Sequence, residues 1–195
     1  GQISRKEAKN ILNIAQSGGI RTLDTAVSYG SAEEVLGEIG IHYFDCISKL
    51  PLLPKNVGDI KAWVNTQIIK TINRLRISHL SGMLLHHPDD ILGPKGNQYL
   101  IALLNAKDQG YIENIGFSIY SPEILDKVTR VFWPDVVQVP YNVFDQRKPF
   151  AFFNRPSEAV DTRGPQCTNR ISTSASKTLN ELFDGRLVCP VVCAR

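Results

Sequence analysis

Four side chains able to pair charge or transfer protons lie near the ends of three consecutive apolar segments of the sequence. They are Asp24, Tyr29, Lys49 and His86. A free tyrosine, with a pKa near 10, is a weak acid at neutral pH, and a nearby ammonium group lowers that pKa. Lys49 would supply this charge, Asp24 would hold the lysine, and a histidine would orient a carbonyl oxygen or assist proton transfer. This set suits proton donation to a carbonyl whose carbon receives a hydride, and that hydride must come from a cofactor.

The elements that would position these side chains alternate between strand and helix over the first two-thirds of the chain. Apolar segments predict strands at residues 20–24, 43–48, 80–85, 112–117 and 136–139. Apolar residues at helical spacing predict a helix between each pair of strands and one ahead of the first. Such alternation predicts a parallel sheet covered by helices. The pattern fits either a (β/α)₈ barrel that has lost pieces or an open doubly wound sheet.

Polar residues at helix starts support these boundaries. Ser4 with Glu7, and Ser31 with Glu34, have the S-x-x-E spacing of a capping box. Asp59 precedes a long amphipathic helix and is predicted to cap it. The helices between the strands are therefore predicted to begin at defined residues.

The candidate side chains share one end of this predicted sheet. Asp24 ends the first strand and Tyr29 follows in the loop, Lys49 ends the second strand, and His86 ends the third. Active sites of parallel barrels form at that carboxyl end. We therefore expect the four side chains to line one pocket.

The motifs around these residues resemble the aldo-keto reductase family. DTAVSYG followed by SAEEVLG resembles its signature, and SKLP, LLHHPDD, GYIENIGFS and VVQVPYN follow in the family's order. The resemblance covers about residues 4–147. It implies a TIM barrel, incomplete here, with about five of the eight β-α units recognisable. It also implies an oxidoreductase that reduces an aldehyde or ketone with hydride from NAD(P)H.

The resemblance assigns roles to individual residues. The four residues introduced first match the family's catalytic tetrad, with Tyr29 as the proton donor. Ser118 and Gln138 match residues that hold the nicotinamide carboxamide, and Asn142 lies beside that site. Ile119 stands where many relatives have an asparagine that also contacts this carboxamide. The family favours NADP(H) over NAD(H) and implies a small carbonyl compound as the substrate.

The family pattern stops before the chain does. Residues 1–147 are predicted to form a partial aldo-keto reductase barrel, whereas residues 148–195 do not resemble the family. Pro, Ser, Thr, Asn and Arg dominate residues 155–176, and the 148–195 tail is predicted to be poorly structured or aberrant. A catalytically inactive truncated barrel that binds a nucleotide or another protein, and a non-functional fragment, therefore stay open beside the enzyme. Open barrel edges also predict self-association.

Composition narrows the class of partner. The chain has 195 residues and a formal net charge of +3, with scattered basic residues, so neither nucleic acid nor a membrane surface is indicated as a partner. Its four cysteines have no spacing typical of a disulfide framework or a metal site. We expect a cytoplasmic protein without a bound metal.

Overall fold

A computed structural model describes residues 3–139, in which strands and helices alternate. The strands are β1 (Thr22–Asp24), β2 (Asp45–Leu50), β3 (Gly82–Leu85), β4 (Ile115–Ser118) and β5 (Val136–Gln138). The helices are α1 (Arg5–Ser17), α2 (Ala32–Ile39), α3 (Ile60–Leu75), α4 (Gly96–Asp108) and α5 (Pro122–Val131), with a short 3₁₀ helix at Pro88–Leu92. Asn142 and the 148–195 tail lie outside the described residues.

The five strands form one parallel sheet in the order β1-β2-β3-β4-β5. Each strand is therefore paired with its neighbours in the chain. A doubly wound sheet reverses its strand order at a switch point, and this sheet does not. The fold is an α/β half-barrel, which confirms the partial TIM barrel and excludes the doubly wound alternative.

Because successive side chains of a strand point to opposite sides, the two faces of the sheet carry different sets of residues. Cys46, Met83 and Phe117 belong to a large apolar core shared with the helices. Ile47 and Leu84, one residue further along their strands, belong to a second, smaller cluster on the other face. Buried Cys46 is thus part of the core beneath the helices. Residues that follow Ile47 and Leu84 at intervals of two point to the same inner face, and these include Lys49.

Two of the predicted helix caps are present and one is wrong. The Ser4 hydroxyl accepts from the Glu7 N–H, and the Glu7 carboxylate accepts from the Ser4 N–H. Asp59 accepts from the Ala62 N–H at 2.9 Å. Ser31 is the first residue before α2 but makes no side-chain cap bond, so the predicted Ser31–Glu34 box is wrong. Its backbone (φ −89°, ψ 15°) lacks the extended conformation from which a hydroxyl reaches the first turn.

Strand boundaries differ from the predicted ones by a few residues. The first strand starts at Thr22, and β2 runs through Lys49 to Leu50, so Lys49 lies inside the strand. Leu80 and Ile112 are joined only by an isolated bridge below β3 and β4. The apolar pattern marks which residues are buried, whereas a strand requires continuous pairing with a neighbouring strand. Buried residues at the amino ends of these segments are therefore not all strand residues.

Candidate active site

Four polar side chains meet at the carboxyl edge of β1, β2 and β3. Asp24 is the last residue of β1, Lys49 lies near the end of β2, and His86 directly follows β3. Tyr29 lies in the loop between β1 and α2. The loop is joined to β2 by the Thr25 N–H, which donates to the Ile47 carbonyl at 2.9 Å. Residues far apart in the sequence are thus held side by side, although only His86 of the four lines the pocket described below.

Lys49 is buried, with only 1% of its side chain exposed. Its ammonium donates to the two carboxylate oxygens of Asp24 at 2.7 and 2.6 Å and to the Thr25 carbonyl at 2.9 Å. An ammonium group has three protons to donate, so these partners use all of them. The buried positive charge is compensated by Asp24, as buried charges generally must be.

Tyr29 lies beside this ion pair. The Lys49 nitrogen is 5.1 Å from the centroid of the Tyr29 ring, within the range of a cation–π contact. The ring is 46% exposed. Its pKa is raised above the usual value near 10, first by burial, then by the negative charge of Asp24 and by Tyr120. The expectation that Lys49 lowers this pKa is therefore wrong, because Asp24 offsets the ammonium charge and the ring is partly desolvated.

His86 completes the group. Its ring meets the Tyr29 ring edge to face, with centroids 6.1 Å apart. Burial lowers the pKa of His86, and the charges of Lys49 and His87 lower it further. The imidazole is therefore neutral near pH 7, and each of its nitrogens has a distinct role, donor or acceptor.

Ser28 is a member of the site that the sequence analysis missed. Its hydroxyl lies 3.2 Å from Nδ1 of His86. A serine in a polar loop has no distinctive spacing, and only the folded loop brings it to His86. Its position directly before Tyr29 is the one signal that singles it out in the sequence.

A pocket of about 180 Å³ opens beside His86. Its lining residues come from the ends of β3 and β4 and from the segments that follow them: His86, His87, Pro88, Asp89, Ser118, Tyr120, Ser121 and Ile124. His86 and Ser118 therefore border one volume. A small molecule held there would contact both the imidazole and the end of β4.

Ser118 and Gln138 end β4 and β5 and are both buried. The Ser118 hydroxyl donates to Oε1 of Gln138 at 3.4 Å. A hydroxyl and an amide can each donate and accept, so this pair fits a carboxamide group of a nicotinamide cofactor. Ile119 is buried, and its backbone N–H donates to the Gln138 carbonyl at 2.7 Å. Its apolar side chain offers no polar contact. The described residues therefore fit only the carboxamide end of such a cofactor.

Within residues 3–139, no group of three or more His, Cys, Asp or Glu side chains is placed to hold a metal ion. No helix in that range is long and apolar enough to cross a membrane.

The structure is a parallel half-barrel with acidic, basic, phenolic and imidazole side chains at its carboxyl edge, which is the edge where barrel proteins form their active sites. The profile of the aldo/keto reductase family matches residues 1–154, and the chain belongs to this family. The resemblance stated from the motifs is thereby confirmed. The match extends seven residues beyond the predicted boundary at residue 147.

Two curated relatives match about three-quarters of the chain. The chain is 27% identical to the aldo-keto reductase YhdN of Bacillus subtilis strain 168 over 161 aligned positions, and the match covers 75% of this chain and 47% of YhdN. It is 30% identical to an aldo-keto reductase of Gibberella moniliformis over 154 aligned positions, and that match covers 73% of this chain and 46% of that protein. The chain thus spans about half the length of the curated relatives it matches.

Solved structures show the same fold. The holo form of an aldo-keto reductase from Bacillus halodurans matches with a TM-score of 0.64 and 20% identity, covering 78% of this chain and 54% of that one. An aldo-keto reductase from Klebsiella pneumoniae, solved in complex with NADPH, matches with a TM-score of 0.56 and 24% identity. This match covers 70% of this chain and 49% of that one. At these identities the likeness establishes the fold.

Proposed function

We propose that this chain reduces an aldehyde or ketone with hydride from NAD(P)H, with Tyr29 as the proton donor. The observation that carries the proposal is the buried Lys49–Asp24 pair, with the Tyr29 ring 5.1 Å from the ammonium. Lys49 lies at the carboxyl edge of the barrel, and its ammonium protons go to one carboxylate and one carbonyl. Its positive charge is therefore suited to stabilise negative charge on the neighbouring tyrosine. Family membership supports the same reaction class.

The proton inventory of the site fits this reaction. NAD(P)H, when bound, supplies the hydride that forms the new C–H bond at the carbonyl carbon. Tyr29 gives its proton to the carbonyl oxygen, so an alcohol forms and a phenolate is left. The raised pKa of Tyr29 keeps the tyrosine protonated at neutral pH but makes it a weaker acid, so its proton transfer depends on stabilisation of the phenolate as that forms. The Lys49 ammonium then lies next to the phenolate that must be stabilised.

His86 is proposed to orient the substrate. Its lowered pKa keeps the imidazole neutral, so one ring nitrogen can donate an N–H to the carbonyl oxygen while the other accepts. The pocket beside His86 gives a small carbonyl compound access to that nitrogen. Substrate position and proton donation are thereby assigned to different residues.

The motif resemblance adds Asn142, outside the described residues, to the two residues proposed to hold the nicotinamide carboxamide, Ser118 and Gln138. Their buried hydroxyl and amide are already aligned with one another. We favour NADP(H) over NAD(H), since the Klebsiella relative of the same fold is described in complex with NADPH. Ile119 removes one side-chain contact, so we expect weaker binding than in relatives that carry asparagine there.

Fluorescence titration with NADPH and NADH, followed by turnover of an aldehyde panel, tests the proposal. Saturable binding of NADPH and steady reduction of at least one aldehyde are expected. Saturable binding without turnover favours the inactive nucleotide-binding barrel, a reading that the half-length match keeps open. Absence of binding to either nucleotide overturns both readings and leaves the non-functional fragment.

A further inference from the structure

Glu33, in the first turn of α2, is a buried carboxylate on the outer side of the sheet, with 2% of its side chain exposed. It lies four residues after Tyr29 in the chain. Its neighbour Glu34 has the same chemistry but is 48% exposed. A buried carboxylate requires partners that compensate its charge, and the partners of Glu33 come from two other elements.

One partner belongs to β2. The Ser48 hydroxyl donates to Oε1 of Glu33 at 2.6 Å, and both side chains are buried. Ser48 directly precedes Lys49, and the two side chains point to opposite faces of the strand. The carboxylate on the outer face therefore holds the strand residue adjacent to the lysine of the inner face.

The other partners belong to α3. Arg74 donates through Nε to Oε2 of Glu33 at 2.7 Å, and Thr71 lies 3.4 Å from the same oxygen. One helical turn beyond Glu33, Gly37 packs directly on the Arg74 backbone, where an added Cβ would lie 2.0 Å from the carbonyl oxygen. The start of α2 is thus seated against both β2 and α3.

The same helix start holds Tyr29. The Ala32 N–H, in the first turn of α2, donates to the Tyr29 carbonyl at 3.2 Å, and the Tyr29 N–H donates to the Ala26 carbonyl at 3.0 Å. Any shift of α2 is therefore transmitted to the Tyr29 backbone. Lys49 would not follow that shift, because it is held within β2.

We propose that Glu33 is a positioning residue that sets the place of Tyr29 relative to Lys49 through its bonds to Ser48 and Arg74. The inference rests on the proposed function in assigning Tyr29 and Lys49 to the reaction. It adds that a group on the opposite face of the sheet, with no contact to the pocket, determines their alignment. A displacement of about 1 Å at a reacting group can lower a rate about a hundredfold.

Glu33→Gln is the informative substitution, because it preserves shape and removes charge. A glutamine has one acceptor oxygen and one NH₂ group, whereas Glu33 accepts from Ser48 on one oxygen and from Arg74 on the other. The NH₂ group can face the Ser48 hydroxyl, which then accepts instead of donating, but the Arg74 guanidinium loses the buried negative charge that it pairs with. We therefore expect the helix start to loosen from α3. Glu34→Gln is the matched control, since its contact to Arg74 is longer, at 3.7 Å, and its side chain is 48% exposed.

Two readouts separate positioning from general stability. The first is kcat against KM for NADPH, and we expect Glu33→Gln to lower kcat between about tenfold and a hundredfold with KM little changed. The second is the phenolate absorbance titration of Tyr29, taken as the difference between each variant and the same variant carrying Tyr29→Phe. We expect the apparent pKa of Tyr29 to fall towards its usual value near 10, because the partial burial that raises it is relaxed. Glu34→Gln should leave both readouts unchanged.

Ser48→Ala gives a second variant that removes only the bond to β2. It should move both readouts in the same direction, and it decides the matter if Glu33→Gln shows no cooperative unfolding transition. Folded variants with unchanged kcat and an unchanged Tyr29 titration would overturn the positioning role. If the wild-type chain reduces no carbonyl compound, the proposed function fails, while the Tyr29 titration still decides whether Glu33 positions that residue.

Discussion

Both carboxylate oxygens of Asp24 accept from the Lys49 ammonium, at 2.7 and 2.6 Å, and the third ammonium proton goes to the Thr25 carbonyl. Lys49 therefore has no proton left to donate to Tyr29 and faces its ring instead. The lysine acts on the tyrosine through its charge. Burial of the ring raises the ground-state pKa of Tyr29 and the charge of Asp24 raises it further, whereas the phenolate formed during the reaction would be stabilised by the ammonium charge.

Lys49→Met should destabilise the fold and abolish turnover. Removal of one partner of a buried ion pair costs about 3–5 kcal/mol, and we expect the lower end because 24% of the Asp24 side chain stays exposed. Lys107→Met is the control, because Lys107 pairs with Asp135 at the same 2.6 Å but is 35% exposed and distant in sequence from the site. Because that pair is only partly buried, we expect its loss to cost less than that of the Lys49 pair, about 1 kcal/mol. Chemical denaturation and turnover rates check both variants, and equal losses in the two would contradict a special role for Lys49.

Ser28→Ala should change the tautomer of His86. We expect the Ser28 hydroxyl to donate to Nδ1 across the 3.2 Å contact, which leaves the proton of the neutral ring on Nε2. A hydrogen bond of this kind contributes about 1 kcal/mol, so kcat should fall about fivefold and Ser28→Thr should restore it. Nitrogen NMR of the imidazole reports the tautomer directly. An unchanged tautomer in Ser28→Ala would show that Ser28 has no such role.

The alkaline limb of the pH profile tests the direction of the Tyr29 shift. A raised pKa means that the proton is retained as pH increases past the usual value near 10. We therefore expect kcat/KM for carbonyl reduction to decline only above about pH 10, since kcat/KM reports ionisations of the free enzyme. Circular dichroism at each pH controls for unfolding. A decline centred well below pH 10 in folded protein would mean that Lys49 lowers the Tyr29 pKa after all.

The edges of the sheet predict self-association. Within residues 3–139, β1 and β5 each have one strand neighbour, so each presents unpaired N–H and C=O groups on its outer side. Unprotected strand edges pair readily with another chain. We expect sedimentation velocity to show association that increases with protein concentration. A monodisperse monomer with a cooperative thermal transition would contradict this expectation.

Much of the fold follows from the sequence because strand and helix periods differ and because parallel strands share one carboxyl edge. Asp24, Lys49 and His86 could be grouped for that reason, before any contact was known. Glu33 could not be distinguished from Glu34, since only the rotation of α2 on the sheet decides which carboxylate is buried. The pKa direction of Tyr29 was also out of reach, because it depends on how completely Asp24 occupies Lys49. Sequence patterns indicate which residues approach one another. Whether their contacts raise or lower a pKa depends on the three-dimensional geometry.

The central claim is that Tyr29 supplies the proton, and a comparison of kcat/KM for NADPH-dependent aldehyde reduction tests it most directly. Tyr29→Phe keeps the ring and removes the hydroxyl, while Tyr111→Phe makes the same change at an exposed tyrosine outside the site. We predict that Tyr29→Phe lowers kcat/KM by about 10²–10⁴, the usual contribution of a general acid, with NADPH binding unchanged. Tyr111→Phe should match the wild-type chain. A wild-type rate in Tyr29→Phe would contradict the account.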